Sequence, residues 1–355
     1  MAGGIGSRFW PFSRSSKPKQ FMDFLNTGRS LLQITFDRFS TIIPVENIYV
    51  VTNFMYRDLV AEQLPELSAH QILSEPSRRN TAPCIAYATY KIKKENPEAN
   101  IVITPADHLI LRESVFLKVV QQGLKFVEEK DALLTLGVKP NRPETGYGYI
   151  QVHEDDANSI EENGIYKVRT FTEKPNIDLA TVFVQSGEFF WNSGVFFWSV
   201  KSIEQEFDKF LPELASKFSD GMSVYATDKE QEFINKVYSS CPNISIDYSV
   251  LEKSENVFVL CSDFGWSDLG TWTALYDVSP KDAKGNVSLK CKTQFYESSN
   301  NIVASSEPNK LVVLQGLDDY IVADSENVLL VCKREESRIR QFVTDINVKY
   351  SGEYI

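Results

Sequence analysis

The sequence predicts an α/β protein with a small strand-rich appendage at its C-terminal end. Two observations predict it. Through residue 278, short β-rich runs alternate with longer helical patterns. From Ser279 onward, short β-like runs follow one another with turn residues between them.

The runs IYVVT (48–52), QILS (71–74), NIVIT (100–104), ALLTLGV (132–138) and VFVL (257–260) read as buried strands. Residues 30–40, 54–63, 81–95 and 114–129 read as helices. In the third of these, Ile85, Ala88 and Ile92 share one helical face. Asn80 or Thr81 can cap it, and Pro83 suits its first turn. Strand–helix alternation implies a mostly parallel sheet with helices on both faces. Such sheets bind ligands at the carboxyl ends of their strands. Beyond the polar stretch SPKDAKGN (279–286), the runs NIVAS (301–305), KLVVLQG (310–316), DYIVAD (319–324) and VLLVCK (328–333) read as an all-β appendage. The expected division is a main domain over 1–280 and a small domain over 286–355.

Composition narrows the possible functions. The chain has 355 residues, 43% of them hydrophobic, with a formal net charge of -11. Such acidity disfavours binding nucleic acid or an anionic membrane through bulk electrostatics. No apolar run is long enough to span a bilayer, and the N-terminus lacks a signal-peptide pattern. Five cysteines without metal-type spacing read as free thiols of a reducing, cytoplasmic setting.

Any anionic ligand must therefore be held locally. Gly3, Gly4 and Gly6 follow Ala2 and precede Arg8, then Ser13 and Lys19. Glycines let backbone N–H groups close on phosphate. Arg8 can bridge phosphate oxygens, and Lys19 adds a compact charge. A buried strand would ordinarily precede such a loop, whereas here the loop stands at the start of the chain. Glu75, at a strand end, can accept from a base that presents N–H groups, as guanine does. Asn80 and Thr81 follow it, and capping explains each of them taken singly. Asp107 follows a strand and suits Mg²⁺, a hard ion that prefers oxygen ligands; His108 could orient it. Gly146 lies in a turn entering a strand, Glu173 can bind hydroxyls, and Lys174 can pair with phosphate. Asn192 stands in an aromatic cluster, FFWNSG, and Asp268 could be a second carboxylate on the same metal. Two Asp, a glycine loop and separated Lys residues fit metal-assisted in-line attack of one phosphate on another.

The segments AGGIGSRFWPFSRSSKPKQF, EPSRRNTAPCIA, TPADH, TGYGYI, FTEKP, FWNSGVFFW and GWSDLGTW, in this order, closely resemble the mannose-1-phosphate guanylyltransferases of bacterial type. The resemblance is strong over about residues 1 to 280. It implies a Rossmann-like nucleotidyltransferase mixed sheet with a small C-terminal domain of left-handed β-helix type. It implies GTP, mannose 1-phosphate and GDP-mannose as ligands, with Mg²⁺. Carried over by motif, the loop with Arg8 and Lys19 holds the GTP phosphates, and Glu75, Asn80 and Thr81 lie along the guanosine. Asp107 and Asp268 bind the metal. Gly146, Glu173, Lys174 and Asn192 hold the sugar phosphate. Some members carry a further isomerase domain, and the chain ends before one, so a monofunctional transferase is expected. The β tail suggests a homodimer surface. Two alternatives are a transferase for another sugar 1-phosphate and nucleotide, and a non-catalytic GDP-mannose-binding regulatory subunit.

Overall fold

The computed structural model describes residues 1–4, 6–152, 160–161 and 164–355. Ile5 of the glycine loop lies outside them. The chain forms two compact units. One comprises residues 1–3, 38–105 and 110–266; the other comprises residues 4–37, 106–109 and 267–355.

The first unit is built on a mixed, eight-stranded sheet. Its central member is a long strand, Phe189–Ser199, buried at most positions. This strand runs antiparallel to Asn100–Ile103, to Leu133–Val138 and to Gly148–Gln151. Leu133–Val138 pairs in parallel with Val257–Cys261, and Gly148–Gln151 pairs antiparallel with Thr170–Glu173. A separate parallel pair joins Val50–Asn53 to Ile72–Glu75. The mixed sheet that the resemblance implied is thus present, while the mostly parallel sheet expected from strand–helix alternation alone is corrected. The aromatic run FFWNSGVFFWS has strong β propensity and supplies an antiparallel strand that the alternation pattern did not show.

Helices form where the periodicity places them. Leu31–Ser40, Thr81–Glu95 and Glu113–Glu129 match the sequence reading closely. Asn80 caps the second by accepting from Thr81 N, with φ of 65°. Residues 1 and 2 hydrogen-bond to two strand ends: Met1 N donates to Thr104 O at 2.8 Å, and Ala2 N donates to Val51 O at 2.7 Å.

The second unit joins the N-terminal loop to a coil of short parallel strands. Val287–Leu289, Ile302–Ser305 and Tyr320–Ser325 stack in register, so that Val287, Ile302 and Ile321 form one buried row. Lys292–Tyr296 and Leu311–Gln315 form a second parallel pair. Val328–Lys333 closes the first sheet antiparallel. The tail is not all β, however. A helix, Glu336–Tyr350, packs Ile339, Phe342, Val343 and Ile346 on the core. Those residues have helical spacing, so the signal was present in the sequence.

The N-terminal loop is fastened inside this unit. Phe9 and Phe12 pack on Trp272 with ring centroids 5.5 and 5.7 Å away. Trp10 Nε1 donates to Tyr354 O at 2.7 Å. Arg14 donates to Ser325 O and Asn327 Oδ1 and pairs with Glu326. Trp272 is fully buried at the start of helix Trp272–Val278, whose cap is Thr271. Trp272→Ala should cost about 3–5 kcal/mol, read by urea unfolding. A loss below about 1 kcal/mol would contradict this packing role.

Candidate active site

In the second unit, Lys19 is the centre of one constellation. Its side chain is 8% exposed, and its Nζ lies 3.1 Å from Asp107 Oδ2. The same Nζ donates to Asp268 O at 2.7 Å and to Leu269 O at 3.0 Å. A buried ammonium needs such complete pairing. Gly6 has φ of 57°, and a Cβ there would fall 2.8 Å from Ser13 Oγ and 3.0 Å from Lys19 Cγ. Only glycine lets the loop fold this closely over Lys19. Gln20 Nε2 holds Gly4 O at 2.8 Å. Arg8 is half-buried on the turn Ser7–Phe9.

Burial pushes the Asp107 carboxyl up, but Lys19 and then His108 outweigh it and hold its pKa below the ordinary value. His108 Nε2 stands 3.9 Å from Asp107 Oδ1. Burial lowers the His108 pKa against the opposing fields of Asp107 and Asp268. Asp268 Oδ1 accepts from Gly270 N at 2.8 Å. Among the described residues no group of three or more His, Cys, Asp and Glu is placed to hold a metal. Two carboxylates and no soft ligand suit a hard cation that takes its other ligands from phosphate and water. The donor types therefore fit a divalent cation.

In the first unit, Ala2, Gly3 and Glu75 come together. Thr52 Oγ1 donates to Ala2 O at 3.0 Å, and a Cβ on Gly3 would lie 3.4 Å from Glu75 Oε2. Glu75 is buried, and Tyr238 OH donates to its Oε1 at 3.0 Å. Burial pushes Glu75 up to about 7, although Tyr238, the Met1 ammonium and Arg78 pull it down. The following segment has a structural job: Thr81 Oγ1 accepts from Ile246 N at 2.9 Å, and Ala82 N donates to Ile244 O at 3.1 Å.

A third constellation lies elsewhere in the first unit. Glu173 ends the strand Thr170–Glu173, and Lys174 Nζ donates to its Oε1. Lys174 has φ of 50°, a backbone state that bulky residues avoid and that clusters at functional sites. Asn192 sits in the long strand beside a register shift between Asn192 and Phe196. A Cβ on Gly148 would fall 2.4 Å from Glu173 Oε2 and 3.3 Å from Asn192 Cβ. Gly148 therefore makes room for both side chains. The expected Gly146 instead donates its N–H to Glu144 Oε1 at 3.1 Å. Gly148 was visible in TGYGYI as a glycine inside a strand. Tyr238, which holds Glu75, carries no sequence signal of this kind.

Residues 1–285 match the nucleotidyl transferase family. The chain belongs to that family. It is 36% identical over 360 residues to a mannose-1-phosphate guanylyltransferase of Klebsiella pneumoniae, covering 100% of this chain and 74% of that one. It is 38% identical over 343 residues to one from Escherichia coli, covering 95% and 71%. Among solved structures, a mannose-1-phosphate geranyltransferase from Thermus thermophilus matches with a TM-score of 0.87 at 29% identity, over 98% of both chains. The protein is thus a nucleotidyltransferase enzyme with a Rossmann-like mixed sheet and a strand-rich C-terminal region.

The raised Glu75 has a measurable consequence. Its folded pKa lies above its ordinary value, so its contribution to stability is full below about pH 4 and is lost as pH rises through about 7. Glu75→Gln cannot ionise. Relative to wild type, it should gain about 2 kcal/mol between pH 5 and pH 8 in denaturant unfolding. An equal difference at both pH values would rule out a strained buried carboxylate.

Proposed function

We propose that this enzyme is a mannose-1-phosphate guanylyltransferase. It joins GTP and α-D-mannose 1-phosphate to give GDP-mannose and diphosphate. The observation that carries the reading is the likeness to relatives of that name over nearly the whole chain, 36% identical to the Klebsiella pneumoniae protein. The three constellations have the chemistry the reaction needs.

A phosphate oxygen of the sugar phosphate attacks the α-phosphorus of GTP. The bond from that phosphorus to the bridging oxygen breaks, and diphosphate leaves. No side-chain nucleophile is required, because the sugar phosphate is itself the nucleophile. The loop Ala2, Gly3, Gly4 and Gly6, with Arg8 and Lys19, binds the triphosphate and stabilises charge on the departing diphosphate. Glu75 accepts from the guanine N–H groups, with Asn80 and Thr81 along the nucleoside. Glu173 and Asn192 hold sugar hydroxyls, Lys174 holds the sugar phosphate, and Gly146 lies beside them. Asp107 and Asp268 would hold Mg²⁺. When bound, that ion offsets phosphate charge and aligns the two reacting groups. We place the reaction in the cytoplasm and the enzyme in a homodimer.

The test is diphosphate release from GTP and mannose 1-phosphate with Mg²⁺. Turnover with GTP well above that with UTP or dTTP is the expected result. Binding of GDP-mannose without turnover would replace the reading with a regulatory one, and strict use of UTP or dTTP would replace the substrate pair. Asp107→Asn should lower kcat by about 10²–10³. It should also destabilise the protein, because it strips the buried Lys19 ammonium of its counter-charge. Near-normal turnover would remove Asp107 from the chemistry.

A further inference from the structure

Asp247 opens a short helical turn, Asp247–Leu251, that is hydrogen-bonded to members of the third constellation. The turn is clamped to the strand end at Glu173. Tyr248 OH donates to Glu173 O at 3.4 Å, and Glu173 N donates to Glu252 Oε1 at 3.2 Å. From the other side, Thr81 Oγ1 fixes Ile246 N, one residue before Asp247. The position of this carboxyl is therefore set at both ends of its segment.

Asp247 Oδ1 accepts from Asn192 Nδ2 at 2.9 Å. Asn192 Oδ1 accepts from Thr135 Oγ1 at 2.9 Å and from Gly194 N at 3.2 Å. These three bonds leave the Asn192 amide one orientation, with one N–H still to give. The Glu173 side chain is only 7% exposed. Gly148 contributes no side chain, which lets the Glu173 carboxylate and Asn192 lie close against that strand. Burial first, and then the charge of Glu173, push Asp247 up to about 7, against the pull of its backbone N–H bond, of Lys174 and of Asn192. The buried carboxyl can accept further hydrogen bonds, and O–H groups of a polyol are donors of that kind.

We propose that Asp247 is a specificity-determining residue that, together with Glu173 and Asn192, binds neighbouring ring hydroxyls of the hexose 1-phosphate. This rests on the guanylyltransferase reading only for which hexose is bound. Asp247 accepts one hydroxyl proton and holds the Asn192 amide with its free N–H toward a second hydroxyl oxygen. A site built to bond a hydroxyl strongly rejects the analogue that lacks it.

The experiment compares wild type, Asp247→Asn and Asp247→Ala with thermal unfolding as a fold control. Wild type is first assayed with mannose, glucose and galactose 1-phosphates against GTP and UTP, and the best pair is carried forward. Deoxy analogues of that sugar phosphate, each lacking one ring hydroxyl, are then compared with the parent. Asp247→Ala should raise KM for the sugar phosphate about 10–100-fold and leave KM for the nucleotide within about twofold. Wild type should discriminate against one deoxy analogue, and that discrimination should fall at least about tenfold in both variants. An unchanged sugar-phosphate KM, or equal loss with every analogue and the nucleotide, overturns the proposal. A best pair other than mannose 1-phosphate and GTP overturns the reading of substrates while still testing Asp247. Wild type inactive with every pair overturns both.

Discussion

A single buried ammonium organises the second unit. Lys19 sits where water cannot solvate it, and an unpaired charge there would cost several kcal/mol. It is stable because Asp107 and the carbonyls of Asp268 and Leu269 surround it. Leu269 adopts φ of 43°, an uncommon state for a branched side chain, so the turn that offers those carbonyls is itself held under strain. The glycine loop depends on the same group, since Gly6 folds against the Lys19 stem. The loop in turn is pinned by Trp10, Arg14 and the aromatic stack on Trp272. The strand coil at the C-terminal end thus belongs to the architecture of the Lys19 cluster within that unit.

The first unit solves a different problem, the placing of acidic groups where they are costly. Glu75 and Asp247 are both pushed up to about 7. Each sits at the end of a well-packed segment and has a neutral donor, Tyr238 for one and Asn192 for the other. The register shift in the long strand lets Asn192 reach both Thr135 and Asp247. Rigid strands therefore set the donors, and on the proposed reading ligand hydroxyl or N–H groups complete the pairing. A site of this kind discriminates by leaving buried acceptors unpaired when the wrong ligand binds.

Much of this was legible in the sequence, because NIVIT is rich in β-branched residues, ALLTLGV is a short apolar run, and both are too short for helices. Their observed ranges, Asn100–Ile103 and Leu133–Val138, fall inside the expected ones. Strand direction was not legible, since pairing sense depends on contacts far apart in the chain. The aromatic strand Phe189–Ser199 accordingly turned a parallel expectation into a mixed sheet. The terminal helix was legible but hidden by its polar neighbours, as Ile339, Phe342, Val343 and Ile346 keep helical spacing. At the candidate site, the residue types of Lys19, Asp107, Glu173 and Asn192 pointed to the roles proposed for them. Asp247 did not, because it lies in an ordinary segment and gains its meaning only from the amide opposite it.

On the proposed reading the buried Lys19 ammonium both shapes the cluster and acts on phosphate. The most direct measurement is diphosphate release by Lys19→Met, whose side chain keeps much of the packing but no charge, after calorimetry shows a folded protein. The account predicts turnover lower by about 10²–10³, with Mg²⁺-dependent GTP binding weakened as well. Folded Lys19→Met with near-normal turnover and GTP binding would contradict it.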